Sequence, residues 1–482
     1  MSTKIIAEKS QPKLISIVGT LIFVELVSGI LQGYYVPVYK EISVFLHISD
    51  ATINILPAGL MLIGATFVPL IAKLGDIFGF KQILAATSAI TVITSWGLVI
   101  SPNFIVFLIF WMIQGVYMSW LPLVVALING RLRGVAQASN LTRKSSGVVV
   151  ASLQGGAILG AAMSGQVGSA MADKIYIILM VPAIFCTVNL LVILFGVKKV
   201  EIINTSKIDI IGAVWLSISL ALICFGFAAM NLQILPISVL IIMIIIGVVI
   251  LVPFALFEKT QNQPLININV LADKTVWPII VAACLTGTAI LGAQAPLSTF
   301  ARTNPSQTGY GLGLSASQIS YVILAFVLSM LIGALLLSTI SKIVGPRIAL
   351  ILPCILITLG YGIMIFMHTL LIEVLINIIV AGLGAGMLIA GIPAFAANAA
   401  PAGQAGIITG LTNTSRSIGG SIASATFALA LAQGTAAVSA SQISSQSSSG
   451  SLEGYIFVWT ACAITAVLAG IAFWFLPKHS NT

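Results

Sequence analysis

The sequence predicts an all-α protein that crosses a membrane many times, and three observations carry that prediction. Of its 482 residues, 59% are hydrophobic and 7% charged, whereas soluble domains carry about 25% charged residues. The apolar residues fall in runs of about 20, the length a helix needs to cross the hydrocarbon core of a bilayer. A short charged hinge then occurs twice. Ala72 to Leu84 reads Ala-Lys-Leu-Gly-Asp-Ile-Phe-Gly-Phe-Lys-Gln-Ile-Leu, and a weaker copy begins 266 residues later at Ser338. Gly79 falls on Gly345, Lys81 on Arg347 and Leu84 on Leu350, while Asp76 meets Lys342. Two related halves follow from that repeat.

Taken in order, about fourteen segments meet the length requirement. They lie near 14–36, 51–72, 82–100, 104–128, 146–169, 175–196, 209–229, 235–257, 276–298, 317–340, 347–367, 370–395, 405–432 and 454–476. The first follows Lys4, Lys9 and Lys13 but is too long for a signal-peptide core and is closed by no small-x-small site, so it reads as a first spanning helix. An even count puts both termini on one side. All Lys and Arg then fall on that side except Lys40, Lys174 and Arg302 opposite and Arg416 inside a segment. Such a bias places both termini in the cytoplasm of a cell (plasma) membrane protein. The offset between the hinges fits six spans plus six with two inserted between them. The expected boundaries are 1–200 for the first six-helix bundle, 201–260 for the inserted pair and 261–482 for the second bundle.

Several classes are excluded. The net charge of +9 is spread singly over short loops, so a nucleic-acid face is not expected. Cys186, Cys224, Cys284, Cys354 and Cys462 all sit in apolar runs without CxxC or Cys/His spacing, which argues against a metal site or a disulfide framework. His47, His368 and His479 lie in loops or at the C-terminus. No Walker lysine or HExxH motif occurs, so neither an enzyme nor a bound cofactor is expected. Gly309-Tyr-Gly-Leu-Gly313, which follows no strand and carries no lysine, reads as part of a flexible external linker, as does the Ser-rich stretch Thr435–Glu453.

The hinge resembles the loop signature of the major facilitator superfamily, Gly-x-Leu-Ala-Asp-Arg-x-Gly-Arg-Lys. Leu74, Asp76, Gly79 and Lys81 match it, while Ala72, Gly75, Ile77 and Phe80 depart from it. The fifth segment carries Gly156-Ala-Ile-Leu-Gly160-Ala-Ala-Met-Ser-Gly165, similar to that family's antiporter signature with Ala161 in place of the proline. The fourth has Gln114-Gly115 of an Arg-x-x-Gln-Gly element, with Trp111 at the arginine position. With the span count, the chain resembles the fourteen-span drug:proton antiporter branch. The resemblance implies export of small amphipathic or cationic compounds, coupled to protons by alternating access, from a chain expected to act as a monomer. Uptake or metabolite export not coupled through Glu25 remains the alternative, with a non-transporting receptor or assembly factor as a third.

Glu25 is the sharpest single residue. It lies about twelve residues past Lys13, roughly 18 Å deep at 1.5 Å per residue. An ionised carboxylate at that depth is expensive, so taking up and releasing a proton becomes a usable two-state variable. The resemblance gives a first-span acid at this place proton coupling or cation binding; a structural acid paired across helices is the other reading. Gln32, Trp111, Gln114 and Tyr117 join it as candidates for substrate contact, with Asn54, Gln154 and Gln294 as further cavity linings. Arg416 could pair with Glu25, bind an anionic group, or reach the hinge and contact Asp76, a gating role shared with Leu74, Gly79, Lys81, Gly345 and Arg347. Asp76 itself reads as a conformational latch or a plain turn acid. Gly156, Gly160 and Gly165 permit close helix approach, either between the halves or as ordinary packing in lipid.

Overall fold

The computed structural model describes residues 14–132, 138–171, 173–199, 210–229, 235–261, 268–399, 405–433 and 450–476. Within them run fourteen long helical segments, and each apolar run read from the sequence coincides with one. The first set is α1 Leu14–Tyr34, α2 Ile55–Phe78, α3 Phe80–Val99, α4 Phe104–Arg131, α5 Ala138–Ala170 and α6 Ile175–Gly196. Next come α7 Ile210–Ala229 and α8 Ile237–Thr260. The last set is α9 Trp277–Arg302, α10 Ala316–Val344, α11 Pro346–Met364, α12 Leu371–Ala399, α13 Ala405–Gln433 and α14 Leu452–Trp474. By length and composition, eleven helices of the described residues could cross a membrane, and shorter apolar helices occupy Ile55–Val68 and Val214–Ile223. Ile237, Ile242, Val249, Val252 and Leu256 leave α8 apolar and exposed along its length. Such a surface suits a lipid environment rather than water.

The two hinges have one geometry. Gly79 (φ 98°, ψ 132°) closes α2 by donating its N–H to Gly75 O, and Gly345 (φ 82°, ψ 162°) closes α10 by donating to Ser341 O. Positive φ is readily reached only by glycine, which is why both positions carry it. The repeated cations act alike as well. Lys81 Nζ donates to Leu194 O at 2.9 Å, in the last turn of α6. Arg347 donates to Trp474 O at the end of α14, with its guanidinium 4.3 Å above the Trp474 ring. Each cation holds a helix C-terminus, where carbonyls lack partners and the helix dipole is negative. The side chains of Lys73 and Asp76 lie outside the described residues, and with them the expected latch.

Helix α1 lies along α5 and α3 along α6; in the last set α12 packs on α10 and α11, α14 on α11, and α13 on α9. The two sets meet where α5 touches α10 and where α2 touches α13. Helices α7 and α8 pair with each other, and α7 leans on α2 and α13. Glycines set the tightest contacts. A Cβ at Gly29 would stand 1.9 Å from Leu153 O, and one at Gly156 2.0 Å from Leu26 O. In the last set a Cβ at Gly287 would stand 2.1 Å from Arg416 O, and one at Gly419 1.8 Å from Cys284 O. Backbone-to-backbone approach through small residues therefore joins both α1 to α5 and α9 to α13.

The segment after α9 corrects one expectation. Arg302–Ala316 is a folded cap rather than a flexible linker. Gly309, Gly311 and Gly313 take φ of 79°, 95° and 62°, turning the chain back so that Gly313 N–H donates to Thr303 O and Leu314 N–H to Ala301 O, each at 2.9 Å. The Tyr310 ring then stacks on Phe300. Most of the expected 435–453 linker lies outside the described residues.

Candidate functional site

Between the two sets of helices lies a cavity of about 80 Å³. Its polar lining comes from five helices: Gln32 on α1, Gln154 on α5, Gln294 on α9, Tyr361 on α11 and Arg416 on α13. Phe326, Met330 and Ile389 supply apolar walls. Four of these polar groups sit on the two glycine-joined pairs, Gln32 with Gln154 and Gln294 with Arg416. The close backbone approach brings their helices to the centre, so the fold positions the lining through its glycines.

Helix α9 is locally rewound beside this cavity. Thr288–Gly292 forms a π-turn, a form that occurs often at functional sites because it displaces carbonyls from the regular ladder. Tyr361 Oη donates to Ala289 O at 3.0 Å and Gln294 Nε2 to Ile290 O at 2.9 Å. Arg416 Nη2 donates to Asn413 Oδ1 on its own helix, while its Nε is buried with no hydrogen-bond partner among the described residues. Arg416 also borders a smaller space with Asn413, Thr412 and Pro393. The structure thus places Arg416 at the cavity, midway along α13.

One end of the molecule is closed across the halves. Ser298 Oγ donates to Val36 O at 2.6 Å, and Arg302 donates to Pro37 O at 3.1 Å and pairs with Glu41 at 2.5 Å. Gln166 Nε2 donates to Tyr321 Oη at 3.2 Å, and Ser317 N–H donates to Ser169 Oγ at 2.9 Å. All these groups lie at the helix ends away from Gly79 and Gly345. Lys40 and Asp50 pair at 3.0 Å beside them. Burial raises the Asp50 carboxyl above the usual carboxylate range, and the Lys40 ammonium pulls it partly back.

The other expected residues separate into three places. Glu25 is fully buried on α1, and neither carboxylate oxygen has a hydrogen-bond partner among the described residues. It lies seven residues before Gln32 and so shares its helix face two turns away, but it does not line the cavity. Trp111, Gln114 and Tyr117 belong to a closed cluster inside the first set. Trp111 packs edge-on to Tyr35 at 4.5 Å, Gln114 Nε2 donates to Ser95 Oγ at 2.8 Å, and Tyr117 meets Trp120. Gly156 and Gly160 face α1, whereas a Cβ at Gly165 would meet Ser320 of α10; the ridge packs within one half along most of its length and between halves at its end. Tyr361 and Phe326 were not legible as lining. Tyr361 sits between Gly360 and Gly362, and that small-residue flank was its one local signal.

Two helical sets around a mid-depth cavity with a few convergent polar groups, sealed together at one end, have the architecture of membrane secondary transporters. The chain belongs to the Major Facilitator Superfamily, whose sequence profile matches residues 21–424. A uridine/deoxyuridine transporter of Lactococcus lactis subsp. cremoris is 22% identical over 286 residues, covering 58% of this chain and 57% of that protein. The chain therefore matches little more than half the length of this curated relative. Among solved structures, the nucleoside transporter NupG superposes with a TM-score of 0.62 at 11% identity, over 97% of this chain and 100% of NupG. An auto-inhibited peptide transporter of the POT family gives 0.66 at 14%, over 97% and 98%. The human organic anion transporter MFSD10 gives 0.62 at 12%, over 97% and 100%. At these identities the likeness to the solved structures is one of fold.

Proposed function

We propose that the chain is a proton-coupled secondary transporter of small polar organic solutes of the nucleoside class. One observation carries this reading: the central cavity is lined by three amides, a phenol and a guanidinium, with no carboxylate among its lining residues. Amides can donate to and accept from a heterocyclic base edge and sugar hydroxyls, and Phe326 offers a flat apolar surface to the ring. The uridine transporter of Lactococcus lactis supports the same class. An amphipathic cation would meet Arg416 and no counter-charge there.

In this reading the hinge end faces the cytoplasm, because nearly all basic loop residues lie on that side. The closed end, tied by Arg302 and Glu41, faces outward, and the two bundles 1–200 and 261–482 rock about the cavity with residues 201–260 alongside. Glu25 carries the proton, and an inward-moving charge gains about 2.3 kcal/mol per 100 mV. The test is counterflow of labelled uridine in vesicles containing the purified chain. Saturable exchange supports the reading, and its absence removes the nucleoside class.

A second reading, drug efflux, keeps one observation in its favour. The Gly156–Gly160–Gly165 ridge stands at antiporter-like spacing and ends on α10 of the other half. Proton-driven ethidium movement in the same vesicles would favour it over nucleoside transport.

A further inference from the structure

We propose that Arg416 is the charge filter of the cavity: its guanidinium receives the acceptor-rich edge of the solute, a carbonyl, carboxylate or phosphate, and turns organic cations away. The inference rests on the cavity being the solute site and adds the sign of charge that this site admits. Four observations meet at this residue. Arg416 is the one charged group among the cavity's lining residues. It forms no ion pair among the described residues, unlike Lys40 with Asp50 and Arg302 with Glu41. Its Nη2 is spent on Asn413, which fixes the plane of the fork, while Nε is buried and unpartnered. Its backbone packs directly on α9, where a Cβ at Gly287 would stand 2.1 Å from Arg416 O.

The chemistry follows from these constraints. A guanidinium offers five N–H donors and no acceptor, and a planar acceptor pair satisfies it better than a lone hydroxyl. No carboxylate is among the cavity's lining residues, so Arg416 is the charge a solute meets on its wall. Gln32, Gln154 and Gln294 are neutral and can orient a solute of either sign, so selection between signs falls to Arg416.

The test reads the cavity's potential without requiring the natural solute. In full-length chain whose five native cysteines are replaced by alanine, Gln154→Cys is reacted in detergent with sulfonatoethyl and trimethylammonium-ethyl methanethiosulfonate. Each rate is divided by that reagent's rate with a free thiol. The expected result is at least a tenfold preference for the anionic reagent, retained in Arg416→Lys and reduced to within twofold in Arg416→Gln. Equal normalised rates with Arg416 present, or a preference that survives Arg416→Gln, overturn the charge filter and leave the cavity reading intact. No reaction with either reagent overturns the cavity reading and the filter with it. The unaltered chain gives a second measurement: tetraphenylphosphonium should leave its thermal midpoint unchanged, and saturable stabilisation by that cation overturns the filter.

Discussion

Gly79 and Gly345 turn the chain in the same way, at φ of 98° and 82°, each closing the helix before it and opening the helix after it. The match extends to the cation two residues on: Lys81 holds the end of α6 and Arg347 the end of α14. The repeat legible in the sequence is thus a repeat of mechanics, a rigid corner clamped to the last helix of its set.

Gly345→Ala isolates the backbone term. A Cβ at this position has no neighbour within 4 Å, so the strain is conformational alone, about 1–2 kcal/mol. Thermal unfolding in detergent should show a midpoint a few degrees lower, with transport retained if the variant folds. An unchanged midpoint would mean that the positive φ is not needed.

The clamp is tested by Arg347→Ala beside Arg347→Lys. Alanine removes both the bond to Trp474 O and the stacking on its ring; lysine restores the charge without the flat fork. Stability should fall by about 1 kcal/mol for alanine and by less for lysine, with faster proteolysis of the α14 end. Equal proteolysis in all three chains would contradict the clamp.

Gly29→Ala and Gly155→Ala differ by one methyl in neighbouring parts of the same helix pair. At Gly29 the methyl would collide with Leu153 O at 1.9 Å, whereas at Gly155 nothing lies within 4 Å. The first should lose about 3 kcal/mol and the second gain about 0.5–1 kcal/mol by relieving a mid-helix glycine. Similar midpoints for the two variants would rule out the close α1–α5 contact.

The closed end should open when its cross-half pair is reversed. Glu41→Arg or Arg302→Glu alone places like charges together at a site where both partners are largely shielded from solvent. Labelling of Gln294→Cys through the closed end should then accelerate severalfold, and the double exchange should return it to the original rate. Rates indifferent to all three changes would show that the pair does not hold this end shut.

The sequence made the helices, the hinges and the burial of Glu25 legible because each follows from counting along one segment. Rotation and long-range contact were not available that way. Depth alone points Arg416 toward the hinge and a gating contact with Asp76, whereas the structure sets it at the cavity, where Gly287 and Gly419 let α9 and α13 touch backbones. Trp111, Gln114 and Tyr117 share α4, but Gly115–Ser119 winds as a 3-10 turn, and its three residues per turn change which side chains share a face. Gly309–Gly313 looked loose because glycine marks both mobile chain and tight positive-φ turns; Tyr310 on Phe300 decides between them.

Glu25→Gln bears most directly on the account as a whole. The amide keeps the volume and can carry no exchangeable acid proton, so it separates proton coupling from solute binding. In vesicles with an imposed pH gradient, the variant should lose gradient-driven uridine accumulation while retaining equilibrative uridine exchange. Accumulation equal to that of the unaltered chain would contradict the central claim that the buried carboxyl on α1 carries the coupled proton.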